Sequence, residues 1–260
     1  MTSNGVRVER REQILVVTLD RQERMNALSP EMRAKLAETW HDASTDRGVR
    51  AVVITGAGTK AFCVGMDLKA AVAQETLRPL ADDVHDEMRL TPLNCDVWLP
   101  TIVAVNGVCT GAGLHFLADA DVIVAASTSS YLDTHVSVGQ VTAIEPITLL
   151  PRIGLGNALR LAVLGTHGRI DATEALRIHL VDEVVPPERL EARAVELAEF
   201  ATTGSPAAIE ASKRAIRGAM ERPMANAMQA GWELLLAHRA HPDALEGPRA
   251  FTEKREPIWR

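Results

Sequence analysis

The sequence predicts an α/β protein that turns all-helical towards its C-terminus, and three observations carry the prediction. Val49–Ile54 (VRAVVI), Thr101–Val105 (TIVAV) and Asp121–Ala126 (DVIVAA) are apolar, β-branched runs of strand length. A Gly-rich helix start stands between the second and the third, so strand, helix and strand alternate as they do in α/β units. From Pro186 onward the periodicity is helical throughout.

The elements follow in order. Val6–Glu9 and Ile14–Leu19 flank the charged Arg10–Gln13 and read as a hairpin. Ser29-Pro30 opens a helix that runs through Trp40, with Ser29 as N-cap and Pro30 where a missing N–H costs nothing. Val49–Ile54 then ends in Thr-Gly-Ala-Gly, and Thr101–Val105 ends in Asn106-Gly107. In the tail, Glu188–Thr203, Ala207–Glu221 and Ala225–Ala240 carry Ala, Leu and Met on one face. Gly204-Ser205-Pro206 and Arg222-Pro223 break them. No internal repeat and no low-complexity linker interrupts the chain.

Composition narrows the function. Over 260 residues, 47% hydrophobic and 24% charged is the balance of a globular protein with its own core. Lys plus Arg is 28 against 34 for Asp plus Glu, and a net charge of −6 with only 3% aromatic residues argues against nucleic acid as a partner. Cys63, Cys95 and Cys109 are few and odd in number, which suits a reducing compartment. The opening MTSNGVRVERR has no signal-like apolar region, and no uncharged run approaches the ~18 residues of a membrane span, so the expectation is a cytoplasmic protein without a membrane partner.

Two Gly-centred turns are placed to do chemistry. AFCVGMDL (Ala61–Leu68) and NGVCTGAGL (Asn106–Leu114) each follow a strand, and Gly111–Gly113 begins a helix whose free N–H groups and dipole favour an anion. That is the design of an oxyanion hole, although the same glycines also suit plain strand-to-helix turns.

Taken in order, DRQERMNAL (Asp20–Leu28), AFCVGMDL, VNGVCTGAG and the C-terminal EGPRAFTEKR (Glu246–Arg255) resemble the successive signatures of the enoyl-CoA hydratase/isomerase (crotonase) family over nearly the whole chain. The resemblance implies a spiral of ββα units over 1–200 that binds acyl-CoA, and a helical region over 201–260 that builds a homotrimer or hexamer. It also implies a CoA thioester substrate, with no permanently bound cofactor and no metal. Two backbone N–H groups then hold the thioester oxygen as an enolate forms. By position these belong to Met66 and Ala112, and each such donor is worth roughly 3 kcal/mol in the transition state. Arg24, Ala27, Ala61, Asp67 and Leu68 fall where the family contacts CoA, and Phe251 and Lys254 where C-terminal residues reach a neighbour's CoA.

The chain departs from the family at its acid–base positions. Where hydratases carry two glutamates it has His115 and His135. An imidazole with an ordinary pKa of about 6.5 can exchange a proton near neutrality. His115 is three residues after Ala112 and shares its helix face, where the helix N-terminus favours the neutral ring. Asp133 is expected to share a strand face with His135 and orient it. A buried pocket histidine and an exposed loop histidine are the plainer alternatives. Glu145-Pro146 replaces a Gly-rich turn beside the acyl pocket, so Glu145 is either a replacement catalytic group or a helix-start carboxylate with Pro146 at the first helical position.

Other readings stay open. Gly-Val-Cys-Thr-Gly around Cys109 fits a nucleophile elbow of a hydrolase. The loss of both glutamates fits a CoA-binding protein without catalysis. A C–C hydrolase of the same family uses the same enolate hole, and His115, His135 and Asp133 are metal-ligand types without a short-spaced pair.

Overall fold

The computed structural model describes residues 4–67 and 82–260. The hairpin forms as expected but longer: β1 (Val6–Arg11) pairs antiparallel with β2 (Ile14–Leu19), and Glu12 turns the chain at a φ of 53°. Helix α1 (Pro30–Thr45) starts where the Ser29 hydroxyl accepts the Met32 N–H at 3.3 Å. Then come β3 (Ala51–Gly56), β4 (Ala61–Cys63), the single turn α2 (Val84–Glu87), β5 (Thr101–Val105), β6 (Val108–Thr110), α3 (Gly113–Asp119), β7 (Val122–Ala126) and β8 (Ser130–Leu132). The remainder is α4 (Ile144–Leu164), β9 (Ile170–Asp171), α5 (Ala172–Arg177), β10 (Glu183–Val185), α6 (Leu190–Thr202), α7 (Pro206–Gly218), α8 (Met224–His238) and α9 (Asp243–Glu253).

These strands form two sheets, ordered β1-β2-β3-β5-β7-β10 and β4-β6-β8-β9. All pairs are parallel except β1–β2 and β8–β9. Successive pairs (β3 and β4, β5 and β6, β7 and β8) give one strand to the large sheet and the next to the small one. Helices α3 and α4 follow the last two pairs, completing a ββα spiral. The apolar runs are explained by burial on both faces. Val52, Ile54, Val103, Val105, Ile123 and Ala125 face the core between the sheets. The alternate residues, Ala51, Val53, Ile102, Ala104, Val124 and Ala126, meet Leu190, Ala194 and Ala198 of α6.

Helix α4 corrects one expectation, that Pro146 takes the first helical position. Its cap is Ala143, so Pro146 sits at the third helical position, still within the first turn, where an N–H would have no intrahelical partner and its absence costs nothing. Residues 144–168 are also long and apolar enough to cross a membrane by length and composition. Gly154, at φ 73° and ψ 163°, kinks the helix, and Arg152 and Arg160 fasten it to Asp182 and Glu174. The tail is helical, and α9 packs on α7. Asp243 of α9, buried, accepts the Ser205 hydroxyl at 2.6 Å and the Arg260 N–H at 3.0 Å. Trp232, Leu235 and Leu236 of α8, and Leu155, Leu159 and Val163 of α4, are exposed in the single chain.

Candidate active site

Two peptide planes set the direction of the Met66 and Ala112 N–H groups, the expected oxyanion donors. Gly65 (φ 91°) and Gly111 (φ 53°) occupy the left-handed region that glycine tolerates best. They lie so close that a Cβ on Gly65 would stand 3.3 Å from Ala112 N and 3.5 Å from Gly111 Cα. The Gly65 carbonyl accepts the Leu28 N–H at 2.8 Å, and the Gly111 carbonyl accepts the Leu114 N–H at 2.8 Å. In a trans peptide the following N–H points the opposite way, so the Met66 and Ala112 N–H groups are each turned away from their own carbonyl's partner. Among the described residues neither N–H reaches an acceptor.

The acid–base candidates converge from three elements. His115 lies in α3, Glu145 in the first turn of α4, which packs on α3, and His135 just beyond β8. Glu145 Oε1 stands 3.3 Å from His115 Nε2 and 3.7 Å from His135 Nε2. On its other side the His135 ring places Nδ1 3.0 Å from Asp133 Oδ1. Asp133 is not on a shared strand face as expected, because β8 ends at Leu132. A turn does the work instead: the His135 backbone N–H donates to Asp133 Oδ1 at 2.9 Å, and the Thr142 hydroxyl donates to Oδ2 at 2.8 Å. His135 also borders the donor loop, since a Cβ on Gly111 would lie 3.8 Å from its Cε1.

Burial separates the two imidazoles. His115 is 3% exposed, whereas the His135 side chain keeps 28% of its surface. Burial pushes the Glu145 carboxyl up, but contact with His115, its own backbone N–H and the charge of His135 outweigh it and hold the group below 4.5. Asp133 behaves likewise: burial raises it, and the bonds from His135 and Thr142 bring it below 3.8. His135 is held above 6.5, first by its bond to Asp133, against burial, with the Glu145 charge adding to the rise.

Ligand-type atoms of Asp133, His135 and Glu145 lie within 4.8 Å of one another, a spacing a cation can span. The donor set fits poorly, because Asp133 Oδ1 already receives both the ring and the backbone of His135. Cys109 is fully buried and burial pushes its thiol well up, which removes the nucleophile-elbow reading.

The CoA-side residues are scattered. Ala61 lines a cleft of about 490 Å³ together with Lys60, Gly58 and Asn26. Arg24 is exposed on the turn beside it and Ala27 is buried. Asp67 is held by Arg21 at 2.7 Å, and Leu68 lies outside the described residues. Phe251, 85% exposed, and Lys254 stand at the end of α9 and line neither that cleft nor the array within one chain. Sequence reasoning missed Lys60, Thr142 and Asn26. The buried Asn26 amide donates to Ala57 O at 3.1 Å and Ala61 O at 2.8 Å, and its φ of 57° marks a residue held in place. The available signal was the residue type, an asparagine inside the Asp20–Leu28 motif, since asparagine tolerates a left-handed φ better than most residues.

The profile of the enoyl-CoA hydratase/isomerase family matches residues 9–260. The chain belongs to that family. It is 33% identical over 255 residues to the (E)-benzylidenesuccinyl-CoA hydratase of Thauera aromatica, covering 98% of each chain. To the carnitinyl-CoA dehydratase of Escherichia coli it is 35% identical over 264 residues, covering 99% of each. The crystal structure of an enoyl-CoA hydratase/isomerase from Mycobacterium paratuberculosis superposes with a TM-score of 0.88 at 32% identity, over 98% of each chain. In this member of the enoyl-CoA hydratase/isomerase family two histidines, His115 and His135, meet at one carboxylate, Glu145.

Proposed function

We propose that the protein is an acyl-CoA lyase or isomerase that works through a thioester enolate. The observation that carries this is the juxtaposition of two undirected N–H donors, Met66 and Ala112, with the His115–Glu145–His135 array bordering the Gly111 loop. Relatives named as a hydratase and a dehydratase support addition or removal of water across a double bond conjugated to the thioester. In that direction the water oxygen bonds to the β-carbon and the array takes its proton. The electron pair passes to the thioester oxygen, held by both N–H groups, and the α-carbon is protonated as the enolate collapses. The absent glutamate pair argues against ordinary crotonyl-CoA as the preferred substrate.

Arg24, Lys60, Ala27, Ala61 and Asp67 flank the CoA path on this reading. Phe251 and Lys254 serve a neighbouring subunit's CoA in a homotrimer or hexamer, for which their exposure and the apolar faces of α4 and α8 speak. CoA belongs to the substrate and is not a resident cofactor. A panel of acyl-CoAs followed by mass tests the proposal. Gain or loss of one water on at least one member is expected. If neither free CoA nor any acyl-CoA binds at millimolar concentration by calorimetry, the proposal falls.

A further inference from the structure

We infer that His115 is a positioning residue that holds Glu145 as the base, while His135 Nε2 is the acid. The inference rests on the acyl-CoA reading above and divides its acid–base work. Geometry separates the two rings. The Nε2 of His115 is spent on Glu145 at 3.3 Å, and the ring lies in α3 with almost no surface, so it cannot reach substrate. His135 has Nδ1 committed to Asp133, which leaves Nε2 facing Glu145 at 3.7 Å and bordering the donor loop, on a side chain that keeps contact with the outside.

The chemistry closes on this pair. Glu145 takes one proton, from water or from the α-carbon, and His135 Nε2 returns one as the enolate collapses. Glu145 then passes its proton to His135 across the 3.7 Å between them, which restores both groups. The charged groups facing Glu145 are His115 from α3 and, from the loop after β8, His135 with Asp133 behind it. Asp119 stands one helical turn beyond His115, and the two also interact electrostatically. In a site this buried a carboxylate stays ionised at neutral pH only with a donor beside it, and His115 supplies that donor.

The test is three variants, His115→Gln, His115→Leu and His135→Gln, compared on the acyl-CoA that the wild-type protein converts. Glutamine keeps an N–H near the place of Nε2 but cannot carry a proton through the cycle. His115→Gln is expected to retain kcat within about tenfold, whereas His135→Gln loses the ~10²–10⁴-fold of a general acid. His115→Leu removes the largest contact that offsets burial at Glu145 and leaves only its own backbone N–H and the His135 charge to oppose it, so the acidic limb of kcat/KM and the ¹³C-carboxyl titration of Glu145 both move to higher pH. If that variant does not fold, His115→Asn, whose amide falls short of Glu145, replaces it. A loss in His115→Gln as deep as in His135→Gln overturns the inference, and so does an unmoved Glu145 titration. If the wild-type protein converts no acyl-CoA, the acyl-CoA reading fails by itself, and the carboxyl titration still decides what His115 does.

Discussion

Asp133 Oδ1 accepts both the backbone N–H and the ring Nδ1 of His135, at 2.9 and 3.0 Å. An ionised carboxylate only accepts, so the ring must carry its proton on Nδ1, and Nε2 is the nitrogen left for exchange with Glu145 and substrate. The short turn between the two residues makes the aspartate a local fixture of the histidine, independent of the rest of the array.

Removing that charge should lower the histidine. His135 is held above 6.5 chiefly by Asp133, so Asp133→Asn is expected to move the alkaline limb of kcat/KM to lower pH. The acidic limb, which belongs to a Glu145 held below 4.5, should stay low. A pH profile of the variant checks this, and an alkaline limb that stays in place would refute it.

The hole can be tested by deleting one proton donor. Ala112 has a φ of −55°, which proline adopts, and it follows Gly111, so Ala112→Pro removes the N–H with little change of path. Loss of one such donor typically costs about 10²–10³-fold in kcat. Ala112→Gly, which keeps the N–H, should retain most of the activity in the same assay.

Stability should follow the same charges. A histidine raised above 6.5 in the folded protein stabilises it fully below that value, and the contribution is lost as pH rises through the raised value. Asp133 and Glu145, held below 3.8 and 4.5, contribute above those values and lose the contribution as pH falls through their folded values. Together these groups favour the fold most between pH 4.5 and 6.5. Thermal melts of His135→Gln against wild type should differ most in that window and converge at alkaline pH.

Sedimentation should show an assembly larger than 28.2 kDa. Exposed Trp232, Leu235 and Leu236 on one helix, with Leu155, Leu159 and Val163 on another, form apolar surface that association with further copies would cover. A stable single-chain species would contradict this.

The large sheet was legible because Ala51–Gly56, Thr101–Val105 and Val122–Ala126 are buried on both faces and read as unbroken apolar runs. The small sheet was not: Ala61–Cys63, Ser130–Leu132 and Ile170–Asp171 are too short to show alternation. The glycines at 65 and 111 announced two tight turns, since a left-handed φ leaves a mark in composition. What could not be read was Glu145 standing between His115 and His135. The three residues meet only because α3 packs on α4 and the loop after β8 passes alongside, a non-local outcome with no local signature. The orienting role of Asp133 was legible, but the strand expected to carry it is a turn.

The two donor peptides differ in when they can be set. Gly111 is aimed by Leu114, three residues away in the same turn of chain, so that half of the hole is ready as soon as α3 forms. Gly65 is aimed by Leu28, and its half waits until the segment around Asn26 docks across the end of β4. The proposed hole therefore depends on a contact between residues 28 and 65 as well as on a local turn. Damage to the first thirty or so residues would disarm it while both donors stayed in the molecule.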